Sequence, residues 1–210
     1  MLKALKKAVK GAKEKSKPRN FTQTIEIIIN LRDIDLKDPS NKMKEEIVLP
    51  HGRGKETKIT VFAEGGMAVK AKELGLQVYS KEELKEIAKD KRESRKMGNT
   101  NDFFIAQADI MPFIGKAFGP VLGRRNKMPA ILPPTAPLES TVEKLKKTVR
   151  VNTRETPLIQ TAIGTEAMED EKIVENGNTV LNAVKRKYER ENALKSVYIK
   201  TTMGPVAKVV

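Results

Sequence analysis

Residue types that perform covalent chemistry are scarce in this chain. It holds one histidine, His51, and no cysteine, which removes thiolate nucleophiles, thiolate metal sites and disulfides in one step. His51 stands in Pro50-His51-Gly52-Arg53-Gly54, a glycine-flanked setting that suits a crossing between structural units and supplies no partner for a catalytic base. The carboxylates are interleaved with lysines, and no spacing of ligand types suggests a metal. No enzyme, cofactor or metal site is therefore expected. What remains is the chemistry of recognition. Thr201-Thr202-Met203-Gly204-Pro205 follows a strand-like run and offers hydroxyls, an adaptable thioether and a glycine that an RNA backbone can approach closely. Near the other end, Asn20, Thr22 and Thr24 alternate beside Lys17 and Arg19, cations next to hydroxyls as a phosphate and sugar surface requires. Either segment by itself is equally well a plain strand end or a solvated sheet face.

A third candidate is Arg124-Arg125-Asn126-Lys127, basic and preceded by Gly123. It lacks the Gly-Lys-Ser/Thr ending of a phosphate-binding P-loop, which leaves a solvated loop or a secondary RNA or tRNA contact at Arg124, Arg125 and Lys127. Gly65-Gly66 ahead of a helix could hold an anion or simply make a tight turn.

Net charge favours a polyanionic partner. The 210 residues carry 41 Lys and Arg against 27 Asp and Glu, a formal charge of +14, and such an excess draws a protein to nucleic acid through counterion release. Every third of the chain contributes: residues 1–55 hold 14 bases and 7 acids, residues 56–149 hold 17 and 12, and residues 150–210 hold 10 and 8. Aromatic residues make up 4%, too few for recognition built mainly on base stacking. Apolar runs such as Ile27-Ile28-Ile29 fall far short of the ~20 residues of a membrane span, and the basic opening Met1-Leu2-Lys3 is followed by no apolar signal core. A cytoplasmic chain with no membrane partner is expected.

These segments need elements to hold them. Leu2, Leu5, Val9 and Ala12 recur at helical spacing among lysines, predicting a basic amphipathic helix. Alternation of period two predicts a long strand over 21–31 and a short one over 46–49. From residue 59 the rhythm becomes strand and helix in turn, with strands at 59–63, 76–79 and 103–106 and a capping box, Ser80 with Glu83, opening a helix; repeated units of this kind pair in parallel. Residues 119–137, with five prolines and two glycines, are expected to form a long basic loop outside the core. A helix at 139–147, strands at 149–151 and 159–163, a helix over 178–191 and a strand over 196–202 complete the chain. The fold class expected is a two-domain α/β protein. Residues 1–55 and 150–210 make a split α+β two-layer domain from both chain ends, and residues 56–149 make an inserted Rossmann-like α/β domain. Two connections side by side would form a hinge at Pro50, His51, Gly52 and Gly54.

Four separated stretches carry a family resemblance: Asn20-Phe21-Thr22-Gln23-Thr24-Ile25-Glu26, Leu49-Pro50-His51-Gly52-Arg53-Gly54-Lys55, the stretch from Gly119-Pro120-Val121-Leu122-Gly123 through Arg124-Arg125-Asn126-Lys127-Met128-Pro129, and Ser196-Val197-Tyr198 leading to Thr202-Met203-Gly204-Pro205. In these, and in their order from about residue 18 to about residue 206, the chain resembles the large-subunit ribosomal protein L one family, the stalk proteins, in its archaeal form. The resemblance implies that the split domain clasps large-subunit rRNA, with Phe21, Gln23, Thr24, Thr202, Met203 and Gly204 at contact positions. Arg19, Asn20, Ser196, Tyr198 and Pro205 are expected to bind RNA with them, and Thr165 lies in a further RNA-facing loop. Bacterial relatives tend to carry a basic residue where Asn20 stands, so a phosphate contact there falls to Arg19. The resemblance also implies a monomer when free, the ribosome as partner, assistance to the release of deacylated tRNA from the exit site, and repression of the protein's own mRNA. A free-standing RNA-binding translational regulator is the alternative, differing only in its partner.

Overall fold

Residues 1–32, 34–133, 136–153, 155–188 and 193–209 are described by the structure, a computed structural model. In chain order the elements are α1 (Leu2–Glu14), β1 (Thr24–Leu31) and β2 (Lys44–Val48). There follow β3 (Ile59–Phe62), α2 (Gly66–Glu73), β4 (Gln77–Tyr79), α3 (Lys81–Lys89), α4 (Lys91–Thr100), β5 (Phe103–Gln107), α5 (Met111–Leu122), β6 (Ala130–Leu132) and α6 (Leu138–Lys147). Last come β7 (Thr148–Asn152), β8 (Leu158–Thr165), α7 (Asp170–Lys187), β9 (Leu194–Thr201) and β10 (Val206–Lys208). The chain divides into two compact units, one of residues 1–55 with 147–210 and one of residues 56–146. Among the described residues, no helix is long and apolar enough to cross a membrane.

In the unit made of both ends, the alternation of β1 becomes one buried face, Ile25, Ile27, Ile29 and Leu31, and one half-exposed face. The sheet order is β10-β9-β1-β8, every pair antiparallel, and β2 pairs with β7 as a separate two-stranded ribbon. The buried face packs with Leu5 and Val9 of α1 and with Ile173, Val180, Leu181 and Val184 of α7 in one core. Burial of a Leu or Val side chain contributes ~1.5–3 kcal/mol, far more than the solvent-screened ion pair between Lys6 and Glu171, 2.9 Å apart. The apolar stripe therefore holds α1, and the lysines decorate it.

Helix α7 begins eight residues before the expected start at 178. Asn176 and Gly177 lie inside the helix, and the fold uses both. Asn176 is fully buried, and its amide donates to Gly52 O and Ile163 O, both at 2.8 Å, while accepting from the His51 N–H at 3.1 Å. Gly177 lets the helix lie close on the sheet, since a Cβ there would already touch Ile163 at 3.4 Å. At the end of α7 the Tyr188 hydroxyl donates to Asn41 O at 2.9 Å, and burial pushes its phenol pKa above the ordinary value, which keeps it a donor. The expected helix end at 191 lies outside the described residues.

The unit of residues 56–146 is a parallel sheet in the order β4-β3-β5-β6. All four residues of β3 are buried, as a central strand covered on both faces must be. On one face Ile59 and Val61 pack with Ala71 of α2 and with Leu138, Val142 and Leu145 of α6. On the other, Phe62 and Phe104 stack with centroids 5.4 Å apart, against Leu84, Met97, Ile114, Phe118 and Leu122. The capping box is present: Glu83 N donates to Ser80 Oγ, and Ser80 N donates to Glu83 Oε2.

Two readings of this unit need correction. The stretch 119–137 is not a continuous loop outside the core: α5 runs through Pro120 to a fully buried Leu122, and β6 adds a fourth strand beside β5. Helical spacing of Phe118 and Leu122 onto one core outweighs the proline, whose missing N–H costs one helix bond. Helix α4 was not anticipated; Asp90 ends α3 and caps α4 by accepting from Arg92 N at 2.7 Å.

Asn176→Ala leaves three backbone groups without their partner, two of them buried carbonyls. The expected cost is about 2–4 kcal/mol, read as a lower urea midpoint at unchanged m-value; a loss below about 0.5 kcal/mol would show that water replaces the amide freely.

Candidate nucleic-acid interface

Three strand ends meet at one end of the sheet. Thr24, where β1 starts, is opposite Thr165, where β8 ends, and the next residue, Ile25, is opposite Thr201, where β9 ends. Beyond Thr201 the chain turns through Thr202, Met203, Gly204 and Pro205 and comes back as β10, pairing Val206 with Lys200. The strand ends before Gly204-Pro205, as the sequence suggested, and the structure adds that those residues form the bend of a hairpin.

A polar network fixes this bend. Gln23, 1% exposed, donates through Nε2 to Ser16 Oγ at 2.9 Å and Lys17 O at 3.1 Å, and its Oε1 accepts from the Met203 N–H at 3.2 Å. The Glu166 carboxylate accepts from Gln23 N at 2.8 Å, and Glu166 N donates back to Gln23 O at 2.9 Å. Thr202 Oγ1 accepts from Thr24 N at 3.0 Å and donates to Thr24 O at 3.2 Å. The hydroxyls of Ser16 and Thr201 are 2.9 Å apart. These mutual bonds tie the bend to the strand ends, which is what gives such a network a single geometry. Ser16 and Glu166 were not singled out in the sequence. Their residue types carry no pattern, and only the fold brings positions 16, 23, 166 and 201 together.

The network presents apolar groups to solvent. Phe21 is 51% exposed, Met203 60% and Val206 56%, with exposed Arg19 and Asn20 preceding Phe21. Exposed apolar groups held on a fixed, hydrogen-bonded frame mark a contact surface.

The remaining site residues fall in different places. Gln23 shapes the bend from inside and has no free face. Thr24 and Thr202 are half-buried, their groups bonded to each other. Thr165 is 3% exposed, and among the described residues its hydroxyl has no hydrogen-bond partner. Gly204 is required by the protein itself, because a Cβ there would collide with Thr201 Oγ1 and meet Ser16 Oγ at 3.2 Å. Pro205 is exposed beside it. Ser196 and Tyr198 lie further along β9, on the sheet face opposite the core; Ser196 Oγ accepts from Asn30 Nδ2 at 2.8 Å, and Tyr198 is half-exposed beside Ile28.

Arg124, Arg125 and Lys127 belong to the other unit. Lys127 Nζ donates to Gly98 O at 3.0 Å and Asn101 O at 2.6 Å at the end of α4, and Arg125 donates to Val121 O at 3.2 Å; Arg124 alone is exposed. Pro50 to Gly54 are fastened to the split unit. His51 N and Gly52 O bond Asn176, His51 Nε2 is 2.5 Å from Glu175 Oε2, and a Cβ on Gly54 would collide with Met168 and meet Thr165 Oγ1 at 2.7 Å. Gly52 and Gly54 have φ of 65° and 69°, the left-handed region that favours glycine. Motion at this crossing would have to break those bonds. Among the described residues, no group of three or more His, Cys, Asp or Glu side chains could hold a metal.

Comparison with known proteins places the chain among similar sequences. Residues 10–205 match the model described as the Ribosomal protein L1p/L10e family. The protein named "Large ribosomal subunit protein uL1" from Thermococcus kodakarensis is 58% identical over 207 residues, 98% of this chain and 96% of its own. Its namesake from Pyrococcus abyssi is 56% identical, covering 96% and 93%, and that from Methanothermobacter thermautotrophicus is 48% identical over 212 residues, all of both chains.

Because the crowding at Gly204 is internal, Gly204→Ala is expected to destabilise the free protein by on the order of 1–3 kcal/mol, before any ligand is added. In a Thr201→Ala background the colliding hydroxyl is gone and the cost should shrink. A double-mutant cycle in urea checks this, and additive costs would show that the crowding lies elsewhere.

Proposed function

The chain belongs to the Ribosomal protein L1p/L10e family, and on that premise we propose that it is a structural constituent of the large ribosomal subunit that binds large-subunit rRNA at the mobile stalk through the strand-end bend of its split unit. It is a ribosomal protein, not an enzyme. The observation that carries the binding reading is the exposed set Phe21, Met203 and Val206, held on a hydrogen-bonded frame in a chain of charge +14. The apolar groups cover sugar or base faces and the Thr and backbone groups near them meet riboses, while Lys and Arg hold phosphates without reading sequence. In this reading the chain also assists release of deacylated tRNA from the exit site and represses translation of its own mRNA, which would present the same surface with a similar RNA fold.

The same reading takes residues 1–55 with 150–210 as the split α+β domain and the middle as an inserted Rossmann-like domain. Supporting it are the antiparallel sheet built from both chain ends and the order β4-β3-β5-β6, in which the first strand of the middle stretch sits inside the sheet as in doubly wound folds.

Met203→Ala and Phe21→Ala should each weaken binding to isolated stalk rRNA by about 1–3 kcal/mol with the salt slope unchanged, whereas neutralising one phosphate-contacting lysine should lower the slope by roughly 0.7–0.9. Both apolar variants are at exposed positions and should fold. If both bind like the unaltered chain, the bend is not the RNA surface. Sedimentation separates the ribosomal reading from a free-standing regulator: the native chain should travel with large subunits, and a chain found wholly free would favour the regulator.

A further inference from the structure

Charge in the unit of residues 56–146 is concentrated in one part of it. The unit carries 16 bases and 12 acids, a net of +4. Residues 91–127 hold 8 of those bases and 3 of the acids, a net of +5, so the rest of the unit, with 8 bases and 9 acids, is net −1. The basic stretch comprises α4, β5, α5 and the 3-10 turn Gly123–Arg125, and its two helices pack on the same side of the sheet, against Phe62 and Phe104.

Helix α4 buries Ser94, Met97 and Gly98 and exposes Lys91, Arg92, Arg95 and Lys96. Lys91 with Arg95, and Arg92 with Lys96, stand one turn apart, so like charges face each other along two adjacent rows, an arrangement that disfavours the helix. Among the described residues none of these four side chains has an ion pair or hydrogen bond, and neither has Arg124. Gly98 lets α5 approach closely, since a Cβ there would lie 3.3 Å from Leu122 and from Val121. Lys127 then ties the chain after the 3-10 turn to the end of α4, which brings exposed Arg124 to the same region. Helix α3 covers the same side of the sheet without this excess: Lys81, Lys85 and Lys89 are balanced by Glu82, Glu83 and Glu86. Among the described residues, no internal contact accounts for the cations of α4. An external polyanion does.

We propose that Lys91, Arg92, Arg95 and Lys96 of α4, with Arg124, form a second RNA-binding surface that takes the phosphodiester backbone of an RNA segment other than the one held at the strand-end bend. The inference rests on RNA being the partner. The surface presents cations and no exposed aromatic ring, so it grips the backbone without reading bases. It also differs from the reading of the sequence, which placed the secondary contact on Arg124, Arg125 and Lys127; two of those are engaged by backbone carbonyls of their own unit.

The test uses the full chain carrying Met203→Ala, so that binding at the bend is weakened. Arg92→Gln/Arg95→Gln/Lys96→Gln is compared with Lys81→Gln/Lys85→Gln/Lys89→Gln, an equal change of charge on α3. The probe is a labelled RNA hairpin of arbitrary sequence, followed by fluorescence anisotropy across a salt series. The α4 triple is expected to weaken binding at least roughly tenfold near 0.1 M salt and to lower the salt slope by about two, while the α3 triple changes affinity by less than about twofold. Equal losses in the two triples would show that net charge alone matters and overturn the proposal, as would no loss in either. Competition by polyglutamate as effective as by the hairpin, charge for charge, would make the occupant an acidic peptide and also overturn it. The strand-end reading fails separately, if the Met203→Ala chain with α4 intact binds stalk rRNA like the unaltered chain.

Discussion

The central place of β1 is the constraint on which the rest of the split unit depends. A strand from the first thirty-one residues is hydrogen-bonded on one side to β8 and on the other to β9, partners at least 128 positions away in the chain. That pairing requires the chain to leave after β2 and to return at β7, and it sets the start of β1 beside the ends of both partners. The candidate interface is a consequence, since strand ends leave polar backbone groups that the ladder no longer satisfies.

Those groups are satisfied by side chains chosen for reach. Gln23 is long enough to span from Ser16 and Lys17 to Met203, and Thr202 closes on both backbone atoms of Thr24. Rigidity from such contacts favours binding by cutting the entropy lost on association. It also explains the division of labour among the candidates. Residues with hydrogen-bonding groups, Gln23 and Thr202, are engaged within the protein, and the residues left facing water are Phe21, Met203 and Val206.

Charge follows a different logic in each unit. Along α1, Lys6 meets Glu171 and Lys13 meets Asp170 at 2.6 Å while also donating to Met168 O, so part of the lysine excess there fastens the helix near the start of α7. Lys6 holds the Glu171 carboxyl below its ordinary pKa through a hydrogen bond and its charge, but both groups are exposed and water screens the pair. Among the described residues, the cations of α4 have no such partners. Equal densities of lysine in a sequence thus conceal one set of cations that the fold consumes and another that it leaves to solvent.

Much of the architecture was legible in the sequence because its signals are local. Alternation gave β1, helical spacing of Leu5, Val9 and Ala12 gave α1, and Ser80 with Glu83 gave the start of α3, each dictated by the period of a backbone and a side chain within reach. The sequence by itself also determined the class of chemistry, since one histidine, no cysteine and an excess of 14 positive charges leave recognition of a polyanion as the work available. Only the tertiary structure decided which residues do that work. It continued α5 through Pro120 and α7 through Asn176-Gly177 because burial of Leu122 and the bonds of Asn176 outweigh local propensity. It turned Lys127 and Gln23 inward and gave Gly204 an internal reason. Contacts between positions 16, 23, 166, 201 and 203 leave no trace at any sequence spacing, because they exist only once strands from opposite ends of the chain lie side by side.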